Sequence, residues 1–476
     1  MAKIHEECGI IGIWESGKED VAMRAYYGLY ALQHRGQEGC GIAVYNGTDI
    51  TVHKGLGLVH EVFTQEMVKR LGCGTAAIAH VRYGTTGSGK LCNVQPLVVD
   101  HLKGSLALAH NGNLTNDDAL REKLELEGSI FHTTSDSEVI AYVLTRCQMV
   151  SSSIEEAMEK TMGVIKGAYS LVIMTQGKLL AVRDPWGFRP LCVGTLPDGG
   201  YVFASEDCAF AALGATFLRD VEPGEIVSVN GGKLESRRTF CGSQKPHLCV
   251  FELIYFARPD STIDSISVHT ARLRAGSFLA LEHPAQADVV IGVPDSGIDA
   301  AIGYSRQSGI PYGVGFIKNK YIGRTFIQPG QENREDLVRI KLNTVSSTVK
   351  GKRVILIDDS IVRGTTSKRI VKLLRMAGAK EVHFRSSAPK FLFPCYFGTD
   401  IDSSKQLFAY QYDDEHMKKL LDVDSLGFLS VENVTKLCDH PYAGGFCTAC
   451  FNGDYPVKPE SSHEKDRFAE GVSHEQ

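Results

Sequence analysis

Two adjacent acids, Asp358 and Asp359, directly follow the apolar run 354–357, and the polar segment 360–366 comes next. An unbroken apolar run bounded by polar residues is typical of a strand buried on both faces of a parallel sheet. Apolar residues then recur with helical spacing, so the polar segment is predicted to open onto a helix N-terminus. Backbone N–H groups there suit a phosphate, while paired carboxylates suit sugar hydroxyls or Mg²⁺. A solvated acidic turn is the alternative for two acids alone.

The whole string VILIDDSIVRGTT at 354–366 is more specific than the acid pair. It resembles the phosphoribosyl pyrophosphate (PRPP) signature of the type I phosphoribosyltransferases. The resemblance implies that the two acids hold the ribose hydroxyls of PRPP. It also implies that the loop holds the 5′-phosphate through four residues: Ser360, Gly364, Thr365 and Thr366.

Two further segments match that family. The string VPDSG at 293–297 again follows an apolar run, and its Ser296 matches the hydroxyl residue of a loop that meets pyrophosphate and Mg²⁺. An ordinary turn is the alternative there. The basic segment 318–343 resembles a lid that closes over PRPP and excludes water, with Lys318 and Tyr321 as PRPP contacts. The implied Mg²⁺ ligands are Ser296, Asp358 and Asp359.

A second group of reactive residues lies near the start of the chain. Cys8 precedes the apolar run 9–14, and taken alone it would be a small buried thiol. Four later strings change that interpretation: QHRGQ at 33–37, HVRYGT at 80–85, HNGN at 110–113 and TSDSE at 134–138. In this order they resemble the glutamine amidotransferases with an N-terminal nucleophile, over residues 1–240.

The resemblance makes Cys8 the nucleophile that attacks the side-chain amide of glutamine. A cysteine at a chain start can use its own α-amine as the base, because that amine has a pKa of about 7.7–8.0. Cys8 must then be the first residue of the mature protein. We therefore expect residues 1–7 to be a propeptide that is removed after synthesis.

The remaining roles follow from the same resemblance. Asn111 and Gly112 match the oxyanion hole, Arg82 matches the residue that binds the glutamine carboxylate, and Asp136 matches the residue that holds the α-ammonium group. Asp136 also fits a plain helix-start acid, since the pattern from Ser135 to Glu138 is a capping box. A simple turn is the alternative for Asn111 and Gly112. Arg35 is expected to shape the pocket.

The chain has 13 cysteines, and two of them form the pair CTAC at 447–450. Such a pair is compatible with zinc, a redox dithiol or an iron–sulfur site, but it does not precede a helix of a βαβ unit as a thioredoxin-like pair would. One class of the amidotransferase family carries a [4Fe–4S] cluster, and its ligands match Cys249, Cys395, Cys447 and Cys450. Spacing alone does not select Cys249 and Cys395 over Cys241 or Cys438, and a four-thiolate Zn²⁺ site is the alternative. Six others are expected to be buried thiols: Cys40, Cys73, Cys92, Cys147, Cys192 and Cys208.

The elements that must position these residues divide the chain in two. Residues 8–240 show short strand-like runs with helical patterns at about 20–33, 136–149 and 154–166, which predicts an α+β layered domain on antiparallel sheets. From about 250, strand-like runs alternate with helical segments, which predicts an α/β domain with a parallel sheet. These runs are 289–293, 312–316, 354–357 and 381–385. The family resemblance makes the first an αββα N-terminal-nucleophile glutaminase domain and the second, 250–454, a type I phosphoribosyltransferase domain. Residues 455–476 are expected to be a disordered tail.

Bulk properties exclude several classes of function. The net charge of −5 and the absence of a basic run argue against nucleic acid binding. No apolar stretch is long enough to span a membrane, and the N-terminus is too short and acidic for a signal peptide. Irregular cysteine spacing without an export signal argues against a disulfide framework. We therefore expect a cytoplasmic protein.

Taken together, residues 8–453 resemble the glutamine PRPP amidotransferases. That resemblance implies that ammonia from glutamine passes through an internal channel and displaces pyrophosphate from PRPP. The products would be phosphoribosylamine and glutamate, in the first committed step of purine synthesis. It also implies a homo-oligomer, commonly a tetramer, that purine nucleotides inhibit. One alternative is another amidotransferase with an N-terminal nucleophile, whose second domain would lack the acid pair. The other is a non-catalytic PRPP-sensing regulator, which would not need the glutamine-site residues.

Overall fold

The computed structural model describes residues 8–83, 90–319, 342–399, 401, 403–438 and 445–460. Two antiparallel sheets form its N-terminal half. Their strands are β1 Gly9–Glu19, β2 Gly39–Tyr45, β3 Ile50–Leu56, β4 Gly74–Arg82, β5 Leu97–His101, β6 Gly104–Leu114, β7 Gly167–Thr175, β8 Lys178–Arg183, β9 Cys192–Thr195, β10 Tyr201–Ala204, β11 Thr216–Asp220, β12 Ile226–Asn230 and β13 Lys233–Arg237. One sheet has the order β11-β9-β10-β1-β4-β2-β3, and the other has the order β13-β12-β8-β7-β6-β5.

Helices cover the outer face of each sheet. They are α1 Val21–Ala31, α2 Val59–Val62, α3 Gln65–Leu71, α4 Asp117–Leu126, α5 Asp136–Met149, α6 Ile154–Met162 and α7 Cys208–Leu213, with 3₁₀ turns at Gln33–Arg35 and Leu91–Asn93. The inner faces pack on each other, as Ile10 of β1 and Val172 of β7 share one buried core. α1 closes the first sheet, and α5 and α6 close the second. This is the expected αββα layering.

The C-terminal half contains a parallel sheet of the order β17-β20-β21-β22. Its strands and those around it are β14 Leu248–Cys249, β15 Thr262–Ile263, β16 Ile266–Ser267, β17 Val289–Gly292, β18 Phe316–Lys318, β19 Leu342–Thr344, β20 Arg353–Asp358, β21 Glu381–Ser386, β22 Ser425–Phe428 and β23 Phe446–Cys447. The helices are α8 Val268–Glu282, α9 Gly297–Ser308, α10 Ser346–Val349, α11 Thr365–Met376, α12 Phe408–Gln411, α13 Asp414–Leu421, α14 Val431–Val434 and α15 Ala449–Asn452, with a π-helix at Glu252–Phe256 and a 3₁₀ turn at Ser404–Gln406.

The central strands of this sheet are buried on both faces, as their apolar runs predicted. Val354 and Leu356 of β20 pack into one core, whereas Ile355 and Ile357 pack into another on the opposite face. β20 pairs with β17 in parallel, with Ile357 opposite Gly292. The carboxyl ends of both strands therefore meet at one edge of the sheet.

Three expectations differ from the structure. The expected strand at 312–316 is reduced to one isolated bridge at Tyr312 and the short β18, because Gly313 and Gly315 offer no side chains to pack. The helix expected over 154–166 ends at Met162, ahead of Gly163. Residues 455–460, which were expected to belong to a disordered tail, instead pack against the rest of the chain.

The contacts of 455–460 reach both halves of the molecule. The Tyr455 hydroxyl donates to the Pro394 carbonyl at 2.7 Å, and the Lys166 ammonium donates to the Glu460 carboxylate at 2.6 Å. Residues 1–7, 320–341, which hold most of the expected lid, and 461–476 lie outside the described residues. No helix of the described part is long and apolar enough to cross a membrane.

Candidate active sites and a cysteine cavity

Cys8 lies at the start of β1, at the edge where β4 ends. β1 and β4 run antiparallel with Gly9 opposite Val81, so Cys8 and Arg82 are neighbours across the pair. The Cys8 thiol is buried and lies 3.6 Å from the Tyr83 carbonyl oxygen. The Arg35 guanidinium donates to the Cys8 carbonyl at 3.0 Å. The expected nucleophile is thus fixed both by its thiol and by its backbone.

Asn111 and Gly112 lie together on β6, in the facing sheet. Asn111 is fully buried, and neither its amide nitrogen nor its amide oxygen has a hydrogen-bond partner among the described residues. A buried amide left unpaired is costly, so this side chain is suited to a ligand. Gly112 has φ +141°, and a Cβ there would lie 2.1 Å from the Ala168 carbonyl oxygen. Only glycine fits, and it leaves the backbone open to close approach.

One hydrogen bond shows that these residues share one end of the sandwich. His80 Nε2 on β4 lies 3.2 Å from the His110 carbonyl oxygen on β6. Arg82 is two residues beyond His80, and Asn111 directly follows His110. The candidate carboxylate-binding residue and the candidate oxyanion donor therefore lie at the same end of the two sheets.

Asp136 begins α5 and is buried beside the same strand. Its carboxylate accepts from the Leu114 N–H at 3.0 Å and lies 3.6 Å from His110 Nδ1. Burial alone would raise the pKa of Asp136, but the His110 charge and hydrogen bond, together with the Leu114 N–H, hold that pKa below its ordinary value. The carboxylate is therefore ionised, as a partner for an ammonium group must be.

The expected capping box at the start of α5 differs from the structure. The Ser135 hydroxyl caps the helix by accepting from the Ser137 N–H. The Glu138 carboxylate instead accepts from the N–H groups of His132 and Thr133, at 2.9 and 2.7 Å. Glu138 thereby fixes the segment before the helix rather than the cap residue itself.

The acid pair lies at the carboxyl edge of the parallel sheet. Asp358 and Asp359 are 6% and 9% exposed. The Ser296 hydroxyl, from the loop after β17, donates to one Asp359 oxygen, and the Ser360 hydroxyl donates to the other at 2.5 Å. The structure thus brings the expected acids and both serine hydroxyls together.

The loop after the acids turns at Gly364 and opens onto α11. Gly364 has φ +73°, and a Cβ there would lie 2.9 Å from the Phe408 ring, so the turn needs glycine. Thr365 and Thr366 form the first turn of α11. Lys318 ends β18 with its ammonium 2.6 Å from the Asp295 carboxylate, beside the loop of Ser296. Tyr321 lies outside the described residues.

Four cysteines from distant parts of the chain line one cavity: Cys249, Cys395, Cys447 and Cys450. Pairing of β14 with β23 places Cys249 opposite Cys447. The Cys450 carbonyl accepts from the N–H groups of residues 392 and 393, which draws the segment of Cys395 to the same place. Aromatic rings, among them Phe391 and Tyr455, complete the wall. The set expected from the family resemblance therefore shares one site.

Burial first, and then the neighbouring thiols, raise the pKa of Cys447 and Cys450 well above the ordinary thiol value. Within the described ranges, no group of three or more His, Cys, Asp or Glu side chains is arranged to hold a single metal ion. Among the six cysteines expected to be buried, Cys73 and Cys92 are exposed and Cys147 is half-buried, which corrects that expectation.

Known proteins resemble the chain over nearly its full length. A glutamine amidotransferase domain model matches residues 89–212, and a phosphoribosyl transferase domain model matches residues 263–390. The amidophosphoribosyltransferase of Methanocaldococcus jannaschii is 49% identical over 95% of this chain and 98% of its own. That of Bacillus subtilis is 48% identical over 96% of this chain and 95% of its own. The chain belongs to the amidophosphoribosyltransferase family.

A solved structure extends this relationship to the fold. The PRPP amidotransferase of B. subtilis, complexed with ADP and GMP, matches with a TM-score of 0.87 and 47% identity, over 96% of this chain and 98% of that one. Membership of the amidophosphoribosyltransferases confirms the expected fold class, with a glutaminase domain followed by a phosphoribosyltransferase domain. It also confirms the expected enzyme class, a glutamine-dependent pentosyltransferase.

Some residues around the candidate glutamine site were not found from the sequence. Glu206 and Glu252 both contact Arg35, the residue that holds the Cys8 carbonyl, at 2.6 and 2.9 Å. Both glutamates are fully buried. No local pattern marks them, since they lie more than 170 residues from Arg35 in the sequence. Only the QHRGQ string that carries Arg35 gave a signal.

Proposed function

We propose that the chain hydrolyses glutamine at Cys8 and uses the ammonia to displace pyrophosphate from PRPP. The products are phosphoribosylamine, glutamate and pyrophosphate, in the first committed step of purine synthesis. The observation that carries the proposal is the unpaired, fully buried amide of Asn111, in a chain whose second half also brings two acids and a serine hydroxyl together. The relatives are amidophosphoribosyltransferases, which supports the same reaction.

In the glutaminase half, the Cys8 thiol attacks the side-chain amide carbon of glutamine. Once residues 1–7 are removed, the α-amine of Cys8 takes the thiol proton and gives it to the departing amide nitrogen, so that ammonia leaves; water then hydrolyses the thioester and releases glutamate. The Asn111 amide N–H and the Gly112 backbone N–H stabilise the oxyanion as it forms. Arg82 binds the glutamine carboxylate, while Asp136 binds the α-ammonium group through its ionised carboxylate.

In the second half, Asp358 and Asp359 accept hydrogen bonds from the ribose hydroxyls of PRPP. The loop backbone from Ser360 to Gly364 and the hydroxyls of Thr365 and Thr366 bind the 5′-phosphate at the start of α11. Lys318 and Tyr321 contact PRPP from the lid. Ammonia reaches this half through an interior path between the domains.

The donor set around the acids fits Mg²⁺. Two buried carboxylates and the Ser296 hydroxyl are oxygen ligands, which Mg²⁺ prefers, and the cation usually keeps waters and takes substrate phosphates as its other ligands. We assign the site to Ser296, Asp358 and Asp359. When bound, Mg²⁺ would neutralise the charge that develops on the departing pyrophosphate.

We propose that the cysteine cavity holds a [4Fe–4S] cluster, with a four-thiolate Zn²⁺ site as the alternative. A tetrahedral Zn²⁺ with Zn–S bonds of about 2.3 Å draws four sulfurs to about 3.8 Å from one another. A cluster of four irons holds its thiolates farther apart, around a larger body. Four cysteines around one cavity are the ligand set that a [4Fe–4S] cluster takes, which supports this assignment. We assign it a structural role, since neither half-reaction transfers electrons.

We also propose that purine nucleotides inhibit the enzyme and that it forms a homo-oligomer, commonly a tetramer in this family. Support for the first point comes from the B. subtilis relative, whose structure was solved with ADP and GMP. Activity and mass measured with and without these nucleotides would test both points.

Two sets of variants test the two reactions separately. Cys8→Ser should lose glutamine-dependent synthesis and keep synthesis from added ammonium, which bypasses the first site. Asp358→Asn combined with Asp359→Asn should lose synthesis from both nitrogen sources, because PRPP and Mg²⁺ both lose their carboxylate contacts. A Cys8→Ser enzyme that keeps its glutamine-dependent rate would remove Cys8 as the nucleophile. Intact ammonium-dependent turnover in the double variant would remove the PRPP assignment.

A further inference from the structure

Four fully buried ionic residues lie between the two halves of the molecule: Arg35, Arg189, Glu206 and Glu252. We call them the boundary ion cluster. Glu252 accepts from both ends of the Arg35 fork at 2.9 and 3.0 Å, and it also contacts Arg189 at 3.2 Å. The two positive and two negative charges balance. Buried ion pairs contribute little net stability compared with apolar packing of the same volume. The role of these four residues therefore lies in the groups that they position.

One end of the boundary ion cluster holds the nucleophile. Arg35 has three nitrogens, and each one is used: Nε donates to the Cys8 carbonyl, and the two terminal nitrogens are held by glutamates. The planar guanidinium fork has a fixed geometry, so fixing its terminal nitrogens also fixes the direction of Nε. The Cys8 carbonyl shares its Cα with the thiol and with the α-amine.

The other end holds the segment beside the cysteine cavity. Arg189 donates through Nε and Nη2 to the Phe397 carbonyl at 3.2 and 2.7 Å. The Phe397 N–H in turn faces the Cys395 sulfur at 3.4 Å. Glu252 begins the π-helix that follows Cys249 by three residues. Glu252 therefore connects the wall of the cavity with the backbone of the nucleophile.

Glu252 and Glu206 do not have the same role. Glu206 has further partners, because it also contacts His34 at 2.8 Å and accepts from Ser261 at 2.6 Å. Glu252 is the glutamate that contacts both arginines. Loss of the Glu252 charge would leave Arg35 with Glu206 as its one carboxylate partner among the described residues, and the fork of Arg35 could then rotate about its bond to Glu206.

We propose that Glu252, a residue of the phosphoribosyltransferase half, is a positioning residue for glutamine hydrolysis, because it fixes the Arg35 guanidinium that holds the Cys8 carbonyl. The proposal rests on the proposed function of Cys8 as the nucleophile. Glu252 does not touch glutamine; it acts through Arg35. Because a small misplacement of a reacting group costs on the order of 10²-fold in rate, the effect belongs to kcat for glutamine rather than to KM.

Glu252→Gln is the variant that tests the proposal, since it keeps the shape of the side chain and removes its charge. We expect the glutamine-dependent kcat to fall by roughly 10- to 100-fold, with the KM for glutamine within about twofold of wild type. Synthesis from added ammonium should keep its wild-type rate. Glu252→Asp, which restores the charge on a shorter stem, should recover part of the lost kcat.

A matched control is available in Glu225, which is also fully buried. Glu225 holds Arg219 through two contacts of 2.8 Å, at a place with no bond to Cys8 or Arg35. Glu225→Gln removes the charge of another fully buried glutamate with a bidentate arginine partner, although Arg219 is 32% exposed, and it should keep the glutamine-dependent rate. Equal losses in Glu225→Gln and Glu252→Gln would show a general structural effect and overturn the proposal.

The remaining outcomes are equally distinct. A wild-type glutamine-dependent kcat in Glu252→Gln overturns the proposal, and so does a parallel loss of the ammonium-dependent rate. If Glu252→Gln fails to fold, Glu252→Asp decides: a glutamine-dependent kcat equal to wild type overturns the positioning role, and a selective loss supports it. Cys8→Ser is measured alongside. If that variant keeps its glutamine-dependent rate, the proposed function fails, independently of Glu252.

Discussion

Replacing Asn111 with alanine should separate stability from activity. The side chain is fully buried, and both of its polar atoms are unpaired among the described residues. Removing an unpaired buried amide recovers a penalty of about 1–3 kcal/mol, while the void left behind costs on the order of 1–2 kcal/mol. We expect the free energy of unfolding of Asn111→Ala to change by between about −1 and +2 kcal/mol.

The glutamine-dependent activity of Asn111→Ala should fall. Loss of one oxyanion donor costs about 10²- to 10³-fold in kcat, equivalent to about 2.7–4 kcal/mol of transition-state stabilisation. Synthesis from added ammonium should keep the wild-type rate, because that reaction does not use the glutaminase site. The assay is pyrophosphate release with glutamine or ammonium as the nitrogen source, together with thermal unfolding of the same preparations.

Asn113→Ala is the matched control, two residues further along β6. The Asn113 amide is paired, since it donates to the Leu114 carbonyl at 2.8 Å and to the Tyr396 carbonyl at 3.3 Å. Its removal should lower the free energy of unfolding by about 1–2 kcal/mol. If Asn111→Ala loses as much stability as Asn113→Ala, or keeps its glutamine-dependent rate within tenfold of wild type, the unpaired amide is not an oxyanion donor held ready for substrate.

Three further predictions concern the second active site, the cavity and the boundary. Gly364→Ala should raise the KM for PRPP and lower the free energy of unfolding by about 1–3 kcal/mol, because the positive φ and the nearby Phe408 ring both oppose a Cβ. An unchanged KM in steady-state kinetics would contradict this prediction. Cys447→Ser should lose bound iron and sulfide, whereas Cys73→Ser, at an exposed site, should keep both in an anaerobic metal and sulfide assay. Burial opposes ionisation of Glu206, but its basic neighbours hold its pKa below the ordinary value. The ionised carboxylate therefore stabilises the fold above the unfolded-state pKa of about 4.3, and this stabilisation is lost as the pH falls. The difference in urea midpoint between wild type and Glu206→Gln should therefore be full at pH 7 and shrink below about pH 4.3; a constant difference would contradict this.

The sequence predicted most of what depends on local order. The acid pair lies at the carboxyl end of β20 as expected, because an unbroken apolar run bounded by polar residues suits a strand that is buried on both faces of a parallel sheet. Asn111 and Gly112 lie within β6 rather than in a simple turn. Their interpretation as an oxyanion hole came from the other strings that resemble the amidotransferases, not from these two residues alone. The prediction of a strand at 312–316 was wrong, because Gly313 and Gly315 leave little side-chain surface to pack there.

The sequence could not predict features that depend on long-range contacts. Sequence spacing could not select Cys249 and Cys395 as partners of the pair at 447–450. The strand pairing that places Cys249 opposite Cys447 joins residues almost 200 positions apart. The same holds for Glu252, whose partners Arg35 and Arg189 lie 217 and 63 residues away. Residues 455–460 look like a tail by composition, yet Val457 is buried and Tyr455 closes the cavity wall.

The pairing of β14 with β23 has a consequence for biosynthesis. Cys249 leaves the ribosome roughly 200 residues before Cys450, an interval of about 10–40 s at ordinary elongation rates. Throughout that interval β14 and the π-helix that follows it lack β23, the strand that completes the cavity wall. The cavity can close only when translation is almost finished, so any inorganic group that it holds is inserted into a nearly complete polypeptide, and a truncated nascent chain offers no place for one.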